Sequence, residues 1–182
     1  MRMPPLDPQT MSPEQKRAYD AITSGPRGSA ARGPFNAWLR SPGFCDPAQR
    51  AGAHCRFGNA LPPRLFEIAI LCTARFWSAQ FEWYAHAKLA AEAGVAPEII
   101  EAIRQRQTPV FRQADEALVY EFASELYRTR AVSDALYARA LKAFGERGLV
   151  DLVGTMGYYC MVSLSLNAFQ VPLPPGEKLP LD

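Results

Sequence analysis

The chain is poor in the residues that build metal and redox centres. It has four cysteines and two histidines in 182 residues, and no Cys-x-x-Cys occurs anywhere. Cys45, Cys55, Cys72 and Cys160, taken with His54 and His86, follow no zinc-ligand spacing. Cys45 and Cys55 flank a short segment and could pair, but free buried thiols are the expected state in a reducing compartment. No metal and no other cofactor is called for. Long charge blocks are also missing: 20 basic and 18 acidic residues are scattered along the chain, for a formal charge of +2. Neither nucleic acid nor an anionic membrane is therefore an expected partner. The opening Met1-Arg2-Met3-Pro4-Pro5-Leu6-Asp7 lacks the apolar stretch of a signal peptide. No uninterrupted apolar run of about 18 residues suggests a membrane span. The cytoplasm is the expected location.

What is present describes a globular protein, 48% hydrophobic and 21% charged. A domain of this size buries roughly 70% of its unfolded surface and needs no staple. Residues 1–60, rich in proline and glycine, read as an arm with short helices packing on a core over 61–170, followed by an extended tail over 171–182. In the arm, Ser12-Pro13-Glu14-Gln15 is a helix start, a Ser cap with Pro at the first helical position. Ser24-Gly25-Pro26-Arg27-Gly28 breaks that helix. A short apolar helix around Ala37, Trp38 and Leu39 follows, closed by Ser41-Pro42-Gly43.

From Pro62 onward helical periodicity takes over. Leu65, Ile68, Ala69 and Cys72 recur at i, i+3, i+4 and i+7. Further helices are predicted over 78–93, from Pro97 until Thr108-Pro109, over 115–130, from Ser133 to Phe144 with Gly145 as stop, and over 149–169. The last is apolar nearly all round, which predicts a central or subunit-interface position. No strand pattern appears. The expected fold is all-α, about six main helices plus the N-terminal arm.

The chemistry-bearing residues concentrate in two successive helices. Glu82 and His86 stand at i, i+4, on one helix face and within reach of each other. The helix is apolar on most sides, so both are expected to be partly buried. Pairing with a carboxylate raises an imidazole pKa and desolvation lowers it, a balance that can sit near neutrality, where an acid/base is most useful. Glu67 lies among Leu65, Phe66, Ile68, Ala69, Ile70 and Leu71, so it needs a partner. A bridge to Arg64 at i, i+3 and a role in a site weigh equally. Arg75, two turns on, is a candidate to face the same cleft and hold an anion. His54 is expected to stabilise a turn rather than join the site. Trp38, Trp77, Trp83, Tyr158 and Tyr159 read as core, interface or pocket aromatics.

One set of residues carries a family resemblance. It comprises Gly33-Pro34-Phe35, Leu39-Arg40-Ser41-Pro42, Arg64-x-x-Glu67-x-x-Ile70-Leu71, Glu82-Trp83-x-x-His86 and Ala90-x-x-Ala93-Gly94-Val95-x-x-Glu98-Ile99-Ile100-x-Ala102-Ile103. From about Arg27 to Pro174 the chain resembles the carboxymuconolactone decarboxylase family, which includes the alkylhydroperoxidase D-like proteins. The resemblance implies the all-helical fold of that type and a homo-oligomer, a trimer, hexamer or dimer. In the peroxidase branch a Cys-x-x-Cys precedes the histidine. Counted back from His86, those positions hold Ala79 and Glu82 here, so the thiol chemistry of that branch is missing.

The decarboxylase branch, which works without cofactor or cysteine pair, is the better match. It implies a lyase that removes CO₂ from a small anionic lactone acid. His86 would be the general acid, Glu82 would orient it or shuttle its proton, and Glu67 would complete the relay. One of Arg64, Arg75 or Arg40 would hold the substrate carboxylate, with Trp83 beside it. The alternatives are a hydroperoxide-reducing antioxidant, disfavoured by the absent cysteine pair, and a non-catalytic oligomeric protein that binds a small molecule.

Overall fold

A computed structural model describes residues 2–26 and 31–182. Arg27 and Gly28, part of the expected break, lie outside the described residues. The architecture is all-α: α1 (Pro13–Thr23), α2 (Phe35–Trp38), α3 (Pro42–Ala53), α4 (Pro63–Phe76), α5 (Gln80–Glu92), α6 (Pro97–Arg104), α7 (Ala114–Thr129) and α8 (Asp134–Ala168). A single π-helical turn, His54–Gly58, extends α3. No strand is present among the described residues.

Local chemistry accounts for most helix ends. At α1, Ser12 Oγ accepts from the Gln15 amide at 3.2 Å and Gln15 Oε1 accepts from the Ser12 amide at 2.9 Å. This reciprocal box satisfies two of the amides a helix start leaves unpaired. Ser12→Ala should lower stability by about 1 kcal/mol, read as a shifted urea midpoint with unchanged slope. The expected break at Ser41-Pro42-Gly43 does follow the end of α2 at Trp38, and it is also the start of the next helix. Pro42 occupies the first turn of α3, where its fixed φ and missing amide cost nothing. The stop at Gly145 falls where the sequence places it: its φ of 68° and ψ of 174° are non-helical and divide α8 into two helical stretches.

The centre of the molecule is α4, not α8. Every residue of α4 from Leu65 to Arg75 is buried, the pattern of a helix covered on all sides. Leu65, Ile68, Ala69, Leu71 and Cys72 join a cluster with α5, α6, α7 and α8. Phe66 and Ile70 join a second cluster with α1, α2, α3 and the last turns of α8. By contrast α8 leaves Val150, Val153 and Leu164 exposed. An 18-residue window of α8 has a mean hydropathy of 1.4, enough by length and composition to cross a bilayer, but half of that window is buried inside the fold. Its apolar residues are those of a helix packed on α4 and α7.

Arg64 shows how the fold settles a charge. It does not bridge to Glu67. Its guanidinium donates to both oxygens of Asp115, at 3.1 and 2.7 Å, and lies 3.0 Å from Glu116 Oε1. Glu116 is 3% exposed, and a carboxylate so deep needs a cation of this kind. The pair ties the start of α4 to the start of α7.

Candidate functional site

The site is built where α5 folds back on α4. The last turn of α4 closes with the Ser78 amide donating to the Arg75 carbonyl (3.2 Å) and the Ala79 amide to the Ala74 carbonyl (2.9 Å), a Schellman closure with Ser78 left-handed at φ 46°. The chain then reverses in three residues and α5 begins at Gln80. That reversal sets His86, in the middle of α5, against Glu67 in the second turn of α4.

Glu67, Glu82 and His86 meet. His86 Nδ1 is 2.7 Å from Glu67 Oε2, and Nε2 is 3.0 Å from Glu82 Oε1. The three residues are between 3% and 5% exposed. Two ionised carboxylates can only accept, and a neutral imidazole has a single N–H to give. Satisfying both contacts therefore takes a second proton on the ring or one on a carboxylate. Burial pulls the His86 pKa down, but Glu82 and Glu67, through charge and hydrogen bonding, outweigh it and raise it to about 9. At neutral pH the group is an imidazolium clamped between two carboxylates.

Tyr159, from α8, stands edge-on to the His86 ring at a centroid distance of 4.8 Å. Burial first, and then Glu82 and Glu67, push its phenol well above the usual value, so it stays protonated. Tyr158 packs edge-on against Tyr159.

A cavity of about 180 Å³ opens beside this cluster, with Glu82 and His86 in its wall together with Tyr158, Tyr159, Arg32 and Arg56. Glu67 lies behind His86 and does not line it. Phe35, Phe81 and Val162 make the apolar part of the wall. Gly33, at φ 64°, is required there: a Cβ would stand 3.1 Å from Phe81 Cε1.

The arginines expected to hold a carboxylate are elsewhere. Arg64 is committed to Asp115 and Glu116. Arg75 donates to Ser78 Oγ at 3.1 Å and to Asp182 Oδ1 at 2.6 Å. Arg40 donates to the carbonyls of Asn36 and Pro4, both at 2.6 Å. None lines the cavity at His86, and neither does Trp83, which is 2% exposed in the core cluster around α4. The cations that do line it, Arg32 and Arg56, went unnoticed in the sequence. Arg56 follows His54 and Cys55 in the π-helical turn, and no carboxylate pairs with it among the described residues. His54 itself points away from the cavity, with Nε2 2.8 Å from Asp151 Oδ1. Asp151 Oδ2 also accepts from the Ala60 amide at 2.8 Å, so this histidine fastens a turn, as expected.

The cysteines stand apart from the cluster. Ala79 is fully buried at the start of α5. No disulfide joins any of the four cysteines. Burial raises Cys72 to about 12, and burial with the nearby Asp46 raises Cys45 to about 11, far from the thiolate a peroxidatic cysteine needs. Cys160 accepts from Trp77 Nε1 at 3.2 Å. Among the described residues, no group of three His, Cys, Asp or Glu side chains is arranged to hold a metal ion.

The same helical arrangement is found in a crystal structure of an uncharacterized peroxidase-related protein from Silicibacter sp. TM1040. The two superpose with a TM-score of 0.70, covering 96% of this chain and 91% of that one, at 13% sequence identity. At that identity the likeness is one of fold. The shared fold is all-helical, as the sequence predicts. No family model matches the chain, and no curated protein matches it.

Proposed function

We propose that the protein is a carboxymuconolactone decarboxylase-like lyase, free of cofactor, acting by proton transfer on a small carboxylated lactone or a related acid. The observation that carries the reading is His86, buried and held at both ring nitrogens by carboxylates, in the wall of a cavity that also presents two arginines.

In this chemistry the C–C bond to the carboxylate breaks, CO₂ leaves, and the electron pair spreads into the conjugated lactone as a dienolate. Carbon must then be protonated. His86, protonated at neutral pH, is the proton store. Glu82, 3.0 Å from its Nε2 and itself in the cavity wall, is the group through which that proton reaches substrate. Glu67 fixes the ring from behind and steadies its positive charge. Arg56 and Arg32 bind the substrate anion and stabilise the charge developing on the lactone oxygen. Tyr159 keeps water from the ring face of His86.

A thiol peroxidase reading has no support in this site, since Ala79 and Glu82 occupy the positions a cysteine pair would take and Cys72 and Cys45 are held as thiols.

The test is CO₂ release and deuterium incorporation in D₂O from a panel of carboxylated γ-lactones. Hydroperoxide consumption with a dithiol reductant is run in parallel. Lactone turnover with one solvent deuterium in the product, and no peroxide consumption, is expected. Peroxide consumption, or no CO₂ from any member of the panel, overturns the lyase reading. With a turned-over lactone, Arg56→Gln should raise KM about 10- to 100-fold, the worth of a hydrogen bond to a charged group. Its effect on kcat should be smaller, because the carboxylate is held in the ground state as well.

A further inference from the structure

A second cavity, also of about 180 Å³, lies at the opposite end of α4 from Glu67, and nothing in the proposed lyase chemistry uses it. Arg75, Arg106, Phe76, Tyr120, Ser124 and Tyr127 are among its lining residues. Arg75 is 6% exposed, yet its Nε is buried without a hydrogen-bond partner. Its other two nitrogens are occupied, one by Ser78 Oγ at 3.1 Å and one by Asp182 Oδ1 at 2.6 Å. Arg106 reaches in from the end of α6 and donates to the same Ser78 Oγ at 3.1 Å.

Positive charge is in excess here. Burial lowers the Arg75 pKa, and the nearby Arg106 and Arg104 lower it further, against the opposing pull of Asp182. Arg104 is engaged by both oxygens of Glu101, so Asp182 is the counter-ion left for Arg75. That carboxylate is 80% exposed, against 7% for the guanidinium it meets. A charge so well hydrated gives up little on leaving, and another anion can take its place.

Ser78 and Arg106 are both left-handed, at φ 46° and 58°, in the position after a helix where glycine is usual. Cations are favoured at helix C-termini, which accounts for arginines at the ends of α4 and α6. It does not account for a buried Nε without a partner on a side chain that lines a cavity. Aromatic rings make part of the remaining wall, beside Cys72, Ile103, Gln107 and Ser124: Phe76 and Tyr127 stack at 4.5 Å with an interplanar angle of 12°.

We infer that this cavity is a binding site for a small aromatic or apolar monocarboxylate. The ligand carboxylate replaces that of Asp182 on Arg75 and is bridged by Arg106, and the ligand body lies against Phe76, Tyr127 and Tyr120. The volume is below that of drug-sized pockets, which limits the ligand to about one ring. The site is independent of the lyase reading.

The probe is benzoate, titrated calorimetrically into the full chain, with inorganic phosphate as a simple-anion control. Arg106→Gln, at an exposed position, should weaken one benzoate-binding component at least tenfold, and Arg56→Gln in the other cavity should leave that component unchanged. Asp182→Ala removes the internal competitor and should tighten it several-fold. Phosphate should bind more weakly than benzoate. The inference is overturned if neither wild type nor Asp182→Ala binds benzoate, or if Arg56→Gln abolishes the binding that Arg106→Gln leaves intact. Equal affinity for phosphate and benzoate would overturn the assignment to an apolar carboxylate.

Discussion

His86→Ala is expected to lower the rate of CO₂ release by about 10²- to 10⁴-fold, the range typical of a positioned general acid. The variant removes the only group in the cluster that carries an extra proton at neutral pH, and it leaves Glu67 and Glu82 facing each other in a buried space. A collapse of structure would mimic a catalytic loss, so His86→Gln is the companion variant. It keeps a donor toward one carboxylate without the titratable ring. If either folded variant turned over like wild type, His86 would not be the acid. Glu67→Gln separates positioning from chemistry. Glu67 touches His86 Nδ1 but does not line the cavity. Its neutralisation should lower the pKa seen in the alkaline limb of the rate profile while leaving KM nearly unchanged. A uniform loss of rate with an unmoved profile would point to a merely structural role.

The parts of this site that sequence made legible are those set by local spacing. Glu82 and His86 share a face because they are four residues apart in a helix, and α5 is helical as predicted. Glu67 needed a partner by the chemistry of burial, and the α4–α5 reversal supplies His86 across 19 positions. Partners at longer range were not legible. Arg64 finds Asp115 across 51 positions and Arg75 finds Asp182 across 107. Charge type says that such a residue wants a carboxylate, not which one, so the expected substrate arginines turned out to be structural or to line another cavity.

Arg56 was not legible for a different reason. It lies in a π-helical turn after α3, and such a turn has no simple sequence signal. The start of α3 at Pro42, right after the expected break, has the same root, since Pro both ends helices and begins them. For α8, apolar composition left two positions open, central or at a subunit interface. Its apolar residues cover both a buried and an exposed face, whereas α4, carrying Glu67 and Arg75, is the helix enclosed on all sides. The core can hold those two charges because each has a specific counter-charge in place.

The buried cluster also makes stability depend on pH in a defined direction. The folded-state pKa of His86 is about 9, against an ordinary value of 6.5. Between those values the folded chain holds a proton that the unfolded chain has released, so folding is favoured by acidity across that window. The contribution is fully present below pH 6.5 and is lost as the pH rises through 9. A shift of this size corresponds to about 3 kcal/mol, a large part of the 5–15 kcal/mol that separates folded from unfolded states in most domains. Urea unfolding followed from pH 6 to pH 9.5 should therefore show a falling midpoint for wild type. His86→Gln, which cannot take up the proton, should start lower and lose less over the same range, so that the two curves converge toward alkaline pH. Curves that stayed parallel would mean that the ring is not held as an imidazolium in the folded protein, and the proton store on which the lyase chemistry depends would be gone with it.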